Sequence, residues 1–131
     1  MSKSRGNVIT PDTYVDALGA DVVRTYLMFL GPWDQGGEWS DTGINGMARW
    51  LNRVWDLTQK NTVHLSDSTE LSKMDRDMLR VTNKTVKRVV EDLDKFKFNT
   101  AIAALMEMSN YMGRVYEESS LGIKVWEDAI E

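Results

Sequence analysis

The chain contains no cysteine. Disulfides and thiolate metal centres are therefore excluded. A single histidine, His64, has no second ligand at metal spacing, so a zinc site is not expected. The longest nearly apolar run, Tyr26 to Leu30, is far too short to cross a bilayer. No charged-then-apolar leader opens the sequence, and the default compartment is the cytoplasm. No internal repeat or low-complexity tract occurs. The carboxylates Asp75, Asp77, Glu91, Asp92 and Asp94 match no cation-binding loop and read as helix-end and solubility charges.

What is present is an ordinary globular mixture. Apolar residues make up 42% and charged residues 27% of 131 positions, enough for one domain with a working core. The net charge of -4 argues against unspecific nucleic-acid binding but leaves room for a local basic face.

Pro11-Asp12 predicts a short helix from Asp12 to Leu18 that stops at Gly19. A second, Asp21 to Leu30, ends at Gly31-Pro32. Pro32 to Gly46 has four glycines and no apolar period, and reads as irregular, with a short strand at Glu38-Trp39. Met47, Trp50, Leu51, Val54 and Trp55 then form a helical stripe, predicting a helix from about Asn45 to Val63. The next helix begins near Lys73 with Met78, Val86, Val89, Val90 and Leu93 as its apolar face. KFKFNT breaks it. Asn99 or Thr100 caps a further helix striped by Ala101, Ile102, Leu105, Met108, Met112, Val115 and Tyr116. Gly122 ends it, and Ile123 to Glu131 starts another. The fold class is mainly α, a helical bundle behind a flexible N-terminal loop.

On these stripes Trp50 and Trp55 read as core rather than base-stacking platforms. Met106, Met108 and Met112 read as adaptable packing. Leu105→Ala is expected to cost roughly 2–5 kcal/mol as a core truncation. Trp33 and Trp39 pack the irregular segment onto the bundle or onto a domain outside the chain.

The first residues, MSKSRGN, carry the chemistry. Ser2, Lys3 and Ser4 set an ammonium between two hydroxyls, Arg5 adds a cation, and Gly6 admits close backbone approach. Such a loop suits a polyphosphate, whose oxygens accept from cations, hydroxyls and amides. The bland reading is a solvated basic tail.

The spelling resembles the KMSKS signature of class I aminoacyl-tRNA synthetases without its first lysine. NVITPDTYVDALGADVVRTYLMFLGP, EWSDTGINGMARWLNRVWDL and FNTAIAALMEMSNYM resemble, in that order, segments of the leucyl-tRNA synthetases. The resemblance covers essentially the whole chain. A valyl- or isoleucyl-tRNA synthetase segment is the alternative within the class. A stand-alone helical RNA- or protein-binding module of the same ancestry is the alternative outside it.

The resemblance implies a helical bundle of the anticodon-binding type over residues 47–131, incomplete at its C-terminus. Residues 1–46 would be the signature loop and a stem-contact-like connecting region. It further implies that the parent enzyme activates leucine with ATP, magnesium being expected, and transfers it to tRNA(Leu). Met1, Ser2, Lys3 and Ser4 match the ATP-binding loop. Lys3 matches the lysine that stabilises the leaving pyrophosphate. The Rossmann-type domain and its HIGH signature have no counterpart here, so this segment alone is expected to be inactive and to hold no cofactor. Truncated ends, Val125 and Trp126 included, are expected to be exposed and to promote self-association.

Two basic stripes are candidate tRNA contacts. Arg49 and Arg53, with Lys60 and His64, share one helix face. Arg80, Lys84, Lys87 and Arg88 share another, with no acid between Arg80 and Arg88. Such faces neutralise phosphates in a salt-sensitive way. The bland reading is a solvated helix surface. Arg49 and Arg53 can also brace the connection to a neighbouring domain.

Overall fold

The computed structural model describes residues 9–60, 62, 65–116 and 121–130. Among the described residues six helices follow one another: α1 Pro11–Leu18, α2 Ala20–Phe29, α3 Asp41–Thr58, α4 Lys73–Leu93, α5 Phe98–Val115 and α6 Ile123–Ile130. The only extended pairing among the described residues is an isolated parallel bridge between Ser66 and Gly122. The expected strand at Glu38-Trp39 is not formed.

α3 starts four residues earlier than its apolar stripe suggests. Ser40 caps it, its hydroxyl accepting from the Gly43 amide at 3.1 Å. Gly43 and Gly46 hide this first turn from a propensity reading. Gly43 is needed there, because a Cβ would sit 3.0 Å from the Tyr26 ring and hydroxyl. The Tyr26 hydroxyl also accepts from the Ser40 amide at 2.9 Å, which locks α2 to the start of α3. Asp41 accepts from the Tyr14 hydroxyl at 2.6 Å and from Trp39 Nε1 at 3.0 Å. These two bonds hold the Asp41 carboxyl below its ordinary range, and the first of them pushes the Tyr14 hydroxyl up.

Two clusters of buried side chains share α3 and α5. Val22, Val23, Tyr26, Ile44, Met47 and Trp50 form one, against Ile102 and Met106. Leu57, Leu65, Met78, Met108, Met112, Leu121 and Trp126 build the other. Trp50 is core, as its stripe predicts, and its Nε1 donates to Ser109 Oγ at 2.9 Å. Trp55 is not: it is 66% exposed. Among the described residues no helix covers the outer side of α3 at that turn.

α4 buries a different face from the one its valines suggest. Met74, Met78, Val81 and Thr85 point inward, at i, i+4, i+7 and i+11. Val86, Val90 and Leu93 stay exposed, with Val89 half-buried. α5 packs most extensively on α4, with the small residues Ala101 and Ala104 buried. Leu105 is consequently 39% exposed, lying in the open grooves on either side of α5 rather than in a closed core. Position 98, not 101, begins α5. Thr100 donates to Asp92 Oδ2 at 2.7 Å and to the Lys97 carbonyl at 3.0 Å instead of capping.

The C-terminal helix corrects a further expectation. Val125 and Trp126 are buried in the second cluster, with Trp126 at 5.2 Å from the Tyr116 ring. They offer no exposed surface for self-association. The anchor is Asp75, in the first turn of α4. Its carboxylate accepts from the Gly122 amide at 2.6 Å and the Ser72 amide at 2.7 Å, while Ser72 Oγ accepts from the Asp75 amide. This capping box satisfies the α4 N-terminus and the start of α6 together. Burial alone would raise the Asp75 carboxyl, but the Gly122 and Ser72 hydrogen bonds and the charge of Arg76 outweigh it and hold the group low.

Candidate nucleic-acid interface

The α3 stripe does not survive intact. Arg49 and Arg53 are exposed. Lys60 lies with its ammonium 3.8 Å from the centre of the Tyr116 ring, a cation–π contact that ties α3 to the end of α5. His64 lies outside the described residues. So do Met1, Ser2, Lys3, Ser4 and Arg5.

The α4 stripe is brought to a groove. Lys84 and Arg88 line a cleft of about 240 Å³ between α4 and α5, with Thr85, Glu107, Tyr111 and Arg114. Arg114 is the cation that the sequence reading missed. It sits on another helix, and only the α4–α5 packing brings it opposite Lys84 and Arg88. Its guanidinium lies 5.6 Å from the Tyr111 ring centre. Arg80 is exposed one turn beyond, and Lys87 points away from the cleft to pair with Glu91 at 3.8 Å.

Acids absent from the stripe itself come in from the neighbouring turns. Arg88 meets Asp92 at 3.7 Å and Glu107 at 3.8 Å. The Glu107 pair is exposed and worth at most about 1 kcal/mol, whereas Asp92 is half-buried and also accepts from Thr100; a phosphate can compete with Glu107 for Arg88. Lys84 makes no ion pair among the described residues. The groove thus offers two or three cations at the spacing of a helix pair, set around a wall formed by Val81, Ala104, Met108 and Tyr111. Its cations suit backbone phosphate.

At the far end of the same helix pair the turn 94–97 is built differently. The Lys97 amide donates to the Asp92 carbonyl at 2.8 Å and the Phe96 amide to the Leu93 carbonyl at 3.1 Å. That pair of bonds ends many helices, with glycine at the left-handed position between them. Here the residue is Phe96, at φ 55°. A side chain in that conformation costs about 1 kcal/mol.

The fold belongs to a recognisable class. Residues 75–126 match the anticodon-binding domain of tRNA ligases. Over all 131 residues the chain is 45% identical to the leucine–tRNA ligase of Dehalococcoides mccartyi strain BAV1, of which it covers 16%. Over 130 residues, 99% of the chain, it is 50% identical to the leucine–tRNA ligase of Rubrobacter xylanophilus, of which it covers 15%. The crystal structure of the ternary complex of Agrobacterium radiobacter K84 agnB2 LeuRS, tRNA and LeuAMS contains a similar fold. It superposes with a TM-score of 0.84 at 31% identity, over 99% of this chain and 18% of that one. The chain is similar to leucine–tRNA ligases along its whole length and spans about one-sixth of the length of the relatives it matches. That likeness favours leucine over the valine and isoleucine sisters, and over a stand-alone binding module of the same ancestry.

Proposed function

We propose that this chain is the segment of a leucine–tRNA ligase that carries its signature loop and tRNA-contacting helices. The whole enzyme would activate leucine with ATP and transfer it to tRNA(Leu) in the cytoplasm. The observation that supports this best is the unbroken likeness to leucine–tRNA ligases along all 131 residues. Residues 1–46 would supply the loop and the connecting region, and residues 47–131 the helical domain. Position 46 lies inside α3, so the two portions would share one rigid helix.

In this reading Lys3 neutralises charge as it develops on the departing pyrophosphate, with Met1, Ser2 and Ser4 holding the ATP side of the loop. Among the described residues no three histidine or carboxylate groups converge to hold a metal ion. Lys84, Arg88 and Arg114 would meet tRNA phosphates, with Arg80, Lys87, Arg49 and Arg53 as flanking charges.

Two experiments test this. Titrating the chain with tRNA(Leu) and with a non-cognate tRNA at two salt concentrations should show salt-sensitive binding that favours tRNA(Leu). Absence of binding at low salt would refute a tRNA surface in this segment. In the full-length ligase, Lys3→Ala should slow ATP–pyrophosphate exchange while tRNA binding is retained. Unchanged exchange would refute the role of Lys3.

A further inference from the structure

The α4–α5 turn spends conformational strain on a side chain that it does not bury. Phe96 holds the left-handed φ of 55° that glycine would take without strain, yet it is 62% exposed. Trp33, 57% exposed, approaches from the α2–α3 connection. Phe98 stands between them, its ring centre 5.3 Å from Trp33 and 5.8 Å from Phe96, with both contacts edge-on. These contacts fix the directions of two exposed aromatic groups without covering them.

The space beside them is a cleft of about 450 Å³, within the range of small-ligand sites. Lys95 and Lys97 line it on either side of Phe96, and Asp34 is the acid in its wall. Among the described residues neither lysine is in an ion pair. Two exposed aromatics flanked by free cations form a pattern that takes unpaired nucleotides, the rings stacking on bases and the ammoniums meeting phosphates.

The geometry points to a base-stacking platform at Trp33 and Phe96 for an unpaired nucleotide of an RNA strand, with Lys95 and Lys97 holding the adjoining phosphates. This rests on the tRNA reading and deepens it. The Lys84–Arg88–Arg114 groove contacts backbone, and the platform selects unpaired over paired RNA.

The test uses a short single-stranded RNA of mixed sequence, the same strand in a duplex, and tRNA(Leu). The parent chain should prefer the single strand to the duplex. Trp33→Ala and Phe96→Ala should each weaken single-strand binding about fivefold or more and leave duplex binding unchanged. Phe96→Gly, which suits the backbone there, repeats the test in case the alanine variant unfolds. Single-strand binding unchanged in all variants, with tRNA(Leu) still bound, overturns the platform alone. If the parent binds neither the strand nor tRNA(Leu), the platform and the tRNA reading fall together.

Discussion

The two ends of α4 are built on opposite principles. At its N-terminus the buried carboxylate is fully engaged: Asp75, 3% exposed, accepts from two amides, and a capping box closes the turn. At its C-terminus a phenylalanine sits in a glycine conformation and its ring faces water. One end stabilises the fold by tying α6 to α4. The other carries strain and exposed apolar surface that folding alone does not explain. The satisfied end and the strained end lie about six helical turns apart.

The sharpest way to break the comparison is at the satisfied end. Asp75→Ala leaves the Gly122 and Ser72 amides without their acceptor and removes half of the capping box. It should cost about 3 kcal/mol in chemical denaturation. A loss under about 1 kcal/mol would mean that α6 is held mainly by the packing of Trp126. Acid probes the same group without mutation. The Asp75 carboxyl is held below its unfolded range, so its contribution is complete above about pH 4 and is lost as pH falls through the lower folded value. Asp75→Asn should lose part of that acid dependence; identical pH–stability profiles would assign it to other carboxylates.

Smaller effects are expected along the middle. Leu105→Ala should cost about 1 kcal/mol, well below a full core truncation, because the side chain lies in open grooves. Met78→Ala, on a fully buried residue one helix away, provides the calibration at about 3 kcal/mol. Equal costs would place Leu105 in a closed core. The smallest stability change belongs to the strained end. Phe96→Gly gains about 1 kcal/mol from the relaxed φ and loses an exposed ring contact of similar worth, so stability should stay within about 1 kcal/mol.

Much of this architecture is legible in the sequence, and its failures share a cause. Helix identity and order follow from the 3.6-residue period and from stops such as Gly19 and Gly31-Pro32. The start of α3 is hidden because Gly43 is there for contact with Tyr26, a tertiary requirement that overrides propensity. The inward face of α4 is misread because Val86, Val90 and Leu93 form a stripe as regular as the Met74–Met78–Val81–Thr85 stripe. Only the position of α5 and α6 decides between them. The cationic groove is half legible: Lys84 and Arg88 share a face, but Arg114 and Glu107 arrive from another helix. KFKF reads as a break in the pattern, which it is. Nothing local tells that Phe96 takes the position of glycine.

The most direct test of the separation between the two ends is a paired measurement on Phe96→Gly. Its unfolding free energy and its affinity for tRNA(Leu) would be compared with those of the parent chain. The account predicts stability within about 1 kcal/mol of the parent and an affinity reduced about fivefold or more. A variant that binds tRNA(Leu) as tightly as the parent would contradict it, and would make the strained turn a matter of packing alone.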